Sequence, residues 1–212
     1  MRLMKQYLSF IAVTVLLLSC GCGATKKTSN TDNQEFTVEK MVKNYEDNKE
    51  GIADVLSFTA DALNDHCGIQ LVLDQTGVSQ FFVYNFMWLG TDNPRQKDFD
   101  ELMPVVGLTQ DELDTIISKL LSVNCLSAEL IKSSSQFAKV LFWENKACGY
   151  YYHIFYDALP DAELAEKTNT MEYCLPYSNK MFLEYNPRKD NADAIFPERE
   201  QYMKELNLPK NE

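Results

Sequence analysis

Residues 149–156 read Gly-Tyr-Tyr-Tyr-His-Ile-Phe-Tyr, and this stretch decides the fold class. In a β-strand, successive side chains point to opposite faces of the sheet, so Tyr150 and Tyr152 would share one face and Tyr151 would lie on the other. Aromatic residues favour strands. The preceding run, 137–143, is also apolar and aromatic, and the short segment Glu-Asn-Lys-Ala-Cys separates the two runs. We therefore predict a β-hairpin with an aromatic layer on each face.

Three further segments predict strands. The apolar runs 69–73 and 81–89 flank the turn-forming sequence Asp-Gln-Thr-Gly, which predicts a second hairpin. The run 81–89 shows almost no polar alternation, so we expect it to be covered on both faces, with Phe86 and Trp88 as packing groups. A last strand is expected over 180–185.

A long helix is expected at the start of the folded part. Apolar residues recur with the helical period from residue 38 to residue 63, and Thr37 is a suitable N-cap. The pattern fits one long helix or two collinear ones. Gly51 is the expected point of any break, because glycine costs about 1 kcal/mol relative to alanine inside a helix.

Helices are also expected in the middle and at the end of the chain. Thr109 and Glu112 have the spacing of a capping box, and an apolar stripe follows them, which predicts a helix. A shorter helix is expected over 126–132. A terminal helix is expected over 197–206, with a proline in its first turn.

The order of these elements predicts an α+β fold. About five strands form a mostly antiparallel sheet, with a long N-terminal helix and a helical insertion between the strand pairs. This order is similar to that of cystatin-like and nuclear-transport-factor-like folds. The similarity lies in element order and not in matched residues.

The first twenty residues have the layout of a secretory signal. Arg2 and Lys5 precede an apolar run, and the small residue Ser19 precedes Cys20. The apolar run is shorter than the roughly 20 residues that cross a membrane. The sequence Leu17-Leu18-Ser19-Cys20 resembles the lipobox of bacterial lipoproteins. That resemblance implies cleavage before Cys20, lipidation of its sulfur, and anchoring by two or three acyl chains.

This layout divides the chain into three parts. Residues 1–19 form the signal peptide, residues 20–35 a lipidated flexible tether, and residues 36–212 a single acidic globular domain. The signal carries two basic and no acidic residues, so its removal changes the formal charge from −11 to −13. Such a charge disfavours binding to nucleic acid. We expect a lipid anchor in a bacterial membrane, with the domain in the cell envelope and facing the periplasm.

Four cysteines of the expected domain are disulfide candidates, since disulfides persist in an oxidising compartment. They are Cys67, Cys125, Cys148 and Cys174. Sequence does not choose among the three pairings, although Cys148 with Cys174 is one reasonable guess. Buried thiols are the alternative. The spacing contains no Cys-x-x-Cys pair, so neither a zinc ribbon nor a thioredoxin-like motif is indicated.

No catalytic residue, metal site or cofactor is predicted. Only two histidines occur, and a zinc site built from His66, Cys67 and His153 would require the fold to bring them together. His153 is expected in a sheet among tyrosines. No serine- or cysteine-nucleophile motif occurs. Paired carboxylates could act as a hydrolase, but the acidic residues are concentrated in stretches that are expected to be solvent-exposed.

Tyrosines are the remaining candidates for a functional surface. Those of the 149–156 run are joined by others further along the chain, and Tyr151 and Tyr177 are the proposed ligand contacts, because a tyrosine offers an apolar face and a polar tip. Core packing is the alternative. The sequence thus predicts a non-enzymatic binding module for an unknown protein, peptide or glycan, and the alternative is a carboxylate-dependent envelope hydrolase acting on a glycan or peptide.

Overall fold

A computed structural model describes residues 36–132, 137–187 and 194–209. The signal peptide, Cys20 and the tether 20–35 lie outside the described residues. The described helices are α1 (Val38–Ala62), α2 (Gln96–Val106), α3 (Gln110–Ser122), α4 (Asp161–Thr170) and α5 (Arg199–Glu205). The described strands are β1 (Cys67–Asp74), β2 (Gly77–Asn85), β3 (Trp88–Asp92), β4 (Ser127–Ile131), β5 (Phe137–Glu144), β6 (Cys148–Phe155), β7 (Cys174–Pro176) and β8 (Met181–Pro187).

One antiparallel sheet contains all eight of these strands. Its order is β3-β2-β1-β4-β5-β6-β8-β7, and each pair of neighbours runs antiparallel. The predicted α+β class with a mostly antiparallel sheet and a long N-terminal helix is confirmed. The predicted number of about five strands is too low, because β3, β4 and β7 were not recognised.

The segment predicted as a short helix over 126–132 is strand β4. It lies between β1 and β5 in the centre of the sheet, and Ala128 and Leu130 alternate with Glu129 across its two faces. Alanine, glutamate and leucine favour helices in isolation. Pairing with strands on both sides overrides that preference.

The apolar run 81–89 contains a turn, where one covered strand was expected. β2 ends at Asn85, and Phe86 has a φ of 60°, so the chain reverses into β3. Phe86 is 87% exposed and Trp88 is 40% exposed. The prediction that these two residues pack in the core is wrong, because Phe86 lies in the turn before β3 and Trp88 begins the edge strand.

α1 is a single helix that continues through Gly51. A Cβ atom on Gly51 would lie 2.7 Å from Cγ1 of Val123, just after α3, so the glycine allows α1 and α3 to approach closely. The predicted caps are confirmed: Thr37 accepts a hydrogen bond from Lys40 N, and Thr109 and Glu112 form the capping box of α3. No helix among the described residues is long and apolar enough to span a bilayer.

The main core lies between one face of the sheet and helices α1, α2 and α3. It contains Met41 and Ile52 of α1, Ile116 of α3, and inward-facing residues such as Leu71 and Tyr152 of the sheet.

Two α-β-β-β units, α1 to β3 and α3 to β6, meet where β1 pairs with β4. Residues 36–132, 137–187 and 194–209 cover the opposite face of the sheet only in part, and the candidate site lies on that face.

Candidate functional site

The opposite face, which we call the open face, is covered at one end only by the described part of the chain. There, Leu164 of α4 and Leu159 pack on Phe155, Cys174 and Phe182 of the sheet. Toward the other end, this face carries polar side chains from the central strands. A polar groove therefore runs across the sheet beside a small apolar cluster.

The groove has a volume of about 530 Å³, within the usual range of roughly 300–1,000 Å³ for ligand sites. Carboxylates line it at four positions, Asp74, Asp92, Glu129 and Glu144, and its described lining contains no lysine or arginine. Tyr151 also lines it. The groove is thus acidic and suited to a neutral or cationic ligand that donates hydrogen bonds.

Tyr151 is positioned by the β6 strand itself. It is half-buried and packs against a small cluster of Val72, Leu126 and Leu141. Its ring also lies over Gly149, where a Cβ atom would be 2.9 Å from the tyrosine Cε2. The missing side chain at position 149 therefore leaves room for the ring at the floor of the groove.

A buried charged network lies on the same face, next to the groove. Lys139 Nζ of β5 donates to Glu184 Oε1 of β8 at 2.8 Å, and Glu184 Oε2 lies 2.9 Å from His153 Nδ1 of β6. The side chains of Glu184 and His153 are each 4% exposed, whereas that of Lys139 is 23% exposed. Glu129 of β4 lies directly opposite Lys139 of β5 in the sheet. Because Glu129 also lines the groove, it links the network to the groove.

Burial and charge shift the pKa values in this network in different directions. Burial alone would raise the pKa of Glu184, but the hydrogen bond from His153 and the charge of Lys139 together hold it below its ordinary value. Burial lowers the pKa of Lys139, yet the nearby Glu184 and Glu129 carboxylates raise it on balance. Burial raises the pKa of Glu129, and Lys139 offsets this only in part. Glu184 and Lys139 thus form a stable ion pair, while Glu129 holds a proton more readily than an exposed glutamate.

The structure brings only one of the two predicted ligand tyrosines to this face. Tyr151 lines the groove, but Tyr177 is completely buried in the main core on the opposite side of the sheet. Its ring packs against Tyr45, and its hydroxyl donates to Glu46. The prediction that Tyr177 contacts a ligand is wrong, because its position just after β7 turns the side chain toward α1.

The four described cysteines are buried thiols, and no disulfide joins them. Cys148 belongs to the main core, whereas Cys174 lies in the apolar cluster of the open face. The suggested Cys148–Cys174 bond is therefore not formed: β8 separates the two strands, and the side chains lie on opposite faces. The structure instead brings Cys174 close to His153 and Glu184.

The structure does not bring His66, Cys67 and His153 together as a zinc cluster. His66 directly precedes β1 and Cys67 is its first residue. Two strands separate β1 from β6, which carries His153. Because neighbouring strands are about 4.8 Å apart, His153 is roughly 14 Å away across the sheet. His153 is buried in the sheet as expected, and its ring packs against those of Phe137 and Phe155.

Sequence reasoning missed the charged residues of the site. Glu129, Lys139 and Glu184 each stand alone among apolar neighbours within a strand. A single charge inside an apolar strand is the signal that could have marked them, because a buried charge needs a partner.

No family model matches this chain, and neither the curated proteins nor the solved structures contain a significant match to it.

Proposed function

We propose that this protein is a membrane-anchored lipoprotein of the bacterial cell envelope that binds a short glycan in the acidic groove of its open face. The groove carries the proposal, because it joins four carboxylates to a tyrosine ring and its described lining contains no basic residue. Sugar hydroxyls donate hydrogen bonds to carboxylates. A tyrosine ring offers an apolar face on which the C–H side of a sugar can pack.

The chemistry of the groove also argues against anionic and purely apolar ligands. An anionic ligand would be repelled by Asp74, Asp92, Glu129 and Glu144. A purely apolar ligand would displace water from these charged groups without offering them hydrogen bonds, which costs free energy. A neutral ligand that is rich in hydroxyl groups avoids both the charge repulsion and the desolvation cost.

Binding can be tested on the purified protein with an array of bacterial glycans, followed by titration calorimetry of any hit. We expect Tyr151→Ala to weaken binding by about tenfold or more, which corresponds to about 1.4 kcal/mol. Tyr156→Ala is the matched control, because Tyr156 is an exposed tyrosine that lies outside the groove. Equal affinity of the Tyr151→Ala variant and the wild type would remove the groove as the site, and preferential binding of cationic peptides would replace the glycan as the ligand.

The anchor rests on the lipobox resemblance and is tested separately. Intact mass spectrometry of the membrane-extracted protein should give a chain that begins at Cys20 and carries two or three acyl groups. Cys20→Ala should accumulate as unlipidated precursor. Acylation that persists in this variant would move the modification to Cys22, and a wild-type mass without acyl groups would make the protein a secreted one.

A second candidate function, glycan hydrolysis by carboxylates, is favoured by one observation. Glu129 lines the groove together with three other carboxylates, and burial raises its pKa. A protonated carboxyl beside an ionised one is the pairing that glycosidases use. Glu129→Gln should then abolish release of product while the glycan still binds, whereas a wild type that binds glycans without turnover would leave binding as the function.

A further inference from the structure

Three potential metal ligands converge on the open face, outside the groove. One ring nitrogen of His153, the Cys174 sulfur and one carboxylate oxygen of Glu184 lie within 4.8 Å of one another. All three residues are buried, with at most 3% of their surface exposed. They come from three neighbouring strands, β6, β7 and β8, so the sheet itself fixes their spacing.

A structural ion pair does not account for this arrangement. Oε1 of Glu184 accepts a hydrogen bond from Lys139, and Oε2 of Glu184 is hydrogen-bonded to His153 Nδ1. The second ring nitrogen of His153, Nε2, is buried and has no hydrogen-bond partner among the residues that the structure describes. An unpaired polar atom at such a depth costs about 1–3 kcal/mol, and neither the ion pair nor the neighbouring Phe137 and Phe155 rings supply a partner for it.

Imidazole nitrogen, thiolate sulfur and carboxylate oxygen form a donor set that suits zinc. Zinc binds such ligands at about 2.0–2.3 Å, so the three side chains would have to close by roughly 1 Å. Three protein ligands leave the fourth tetrahedral position for water.

We infer that His153, Cys174 and Glu184 form a binding site for one Zn²⁺ ion. On binding, the Cys174 thiol releases its proton to solvent and coordinates as a thiolate, and His153 coordinates as the neutral ring. The second oxygen of Glu184 keeps its hydrogen bond to the Lys139 ammonium. Lys139 then orients the carboxylate without itself binding the metal. The site does not depend on glycan binding, because none of its three ligands lines the groove.

The test uses the purified full chain, dialysed against Zn²⁺ and, separately, against Co²⁺. We expect one zinc per chain by elemental analysis, and with Co²⁺ a thiolate charge-transfer absorption band. Cys174→Ala should lose the band, and His153→Gln should weaken zinc binding by about tenfold or more. His66→Ala and Cys22→Ala are the matched controls, because they remove the other histidine and a cysteine near the anchor.

Retention of zinc and of the cobalt band by Cys174→Ala would overturn the site, as would equal losses in the controls or a wild type that binds no zinc. If the Cys174 variant does not fold, X-ray absorption of the zinc-loaded Cys22→Ala variant decides. One sulfur with nitrogen and oxygen neighbours supports the site, and a first shell without sulfur refutes it. Glycan binding measured on the zinc-free protein separates this inference from the proposed function.

Discussion

Glu184 is the residue on which the charged network of the open face depends. It accepts hydrogen bonds from both Lys139 and His153 while it is almost completely buried. Its pKa is lowered in the folded state despite the burial that would raise it. A lowered pKa means that the unfolded chain binds more protons, so this carboxylate stabilises the fold above its unfolded pKa, and the stabilisation is lost as the pH falls through its folded pKa.

Glu184→Gln should therefore destabilise the protein in a pH-dependent way. Near neutral pH we expect a loss of about 2–4 kcal/mol in the free energy of unfolding, because Lys139 keeps a partly buried charge without its partner. The loss should shrink below the folded pKa of Glu184, where the wild-type carboxyl is also neutral. Urea denaturation at several pH values measures both effects.

Glu163→Gln is the control for that experiment, since Glu163 pairs with Lys167 at the surface of α4. Its effect should stay within about 1 kcal/mol, as is usual for exposed pairs. A loss for Glu184→Gln that is the same at acidic and neutral pH would contradict the role of its charge.

The contact between α1 and α3 shows how one small residue positions two helices. Gly51 lies in the interior of α1, where glycine is unfavourable, but its missing side chain admits Val123. The packing gained by this close approach offsets the helix propensity that is lost. Both helices then cover the same face of the sheet and seal the main core.

Gly51→Ala should lower the free energy of unfolding by about 1–3 kcal/mol, because the added methyl group overpacks the contact with Val123. In an exposed helix the same change would add about 1 kcal/mol of stability. Thermal or urea unfolding of Gly51→Ala should be compared with that of the double variant Gly51→Ala/Val123→Ala and of Val123→Ala alone. In the Val123→Ala background the alanine at position 51 should be neutral or stabilising. An equal effect in both backgrounds would show that the approach is not tight.

The elements that sequence predicted correctly are those with a strong local signal. The capping box at Thr109 and the tyrosine alternation of β6 are local features, and both are found in the structure. β4 was mistaken for a helix because its pairing partners, β1 and β5, lie far from it or beyond a loop in the chain. The turn at Phe86 has no glycine or proline to mark it.

The candidate site could be predicted only in small part, because it depends on register between strands. Lys139 and His153 pair across β5 and β6, and Glu184 reaches them from β8, after α4 and β7. No local pattern encodes that arrangement. Tyr151 was identified from the alternation along β6. Tyr177 was proposed only as a tyrosine further along the chain, and it lies in the main core together with Leu175, two residues before it.

At the scale of the whole molecule, the two edges of the sheet differ. α4 and α5 lie beside the edge at β7, whereas the edge at β3 ends in an exposed apolar hairpin tip. Phe86 and Met87 form this tip, and Trp88 and Leu89 continue it into β3. An exposed apolar patch on an edge strand promotes association with other surfaces.

Phe86→Asn should reduce self-association of the purified protein without loss of stability. Phe86 is 87% exposed and its φ of 60° suits asparagine better than phenylalanine, so the free energy of unfolding should stay the same or rise. Analytical ultracentrifugation at several concentrations measures association, and urea denaturation measures stability. Phe81→Ala, in the buried part of the same hairpin, should instead cost about 3–5 kcal/mol. A less stable Phe86→Asn variant would mean that the tip packs against the rest of the fold.

The meeting of the two α-β-β-β units at β1 and β4 also affects how the chain is made. A ribosome delivers the first unit, α1 to β3, complete with its own helix and hairpins, before residue 127 has been joined to the chain. Until then the β1 edge that later pairs with Ser127–Ile131 has backbone groups without partners. The nascent first half thus has unpaired strand edges at both β1 and β3. Unpaired strand edges make incomplete chains prone to aggregation. A chaperone bound to the first half would protect it until β4 has been synthesised.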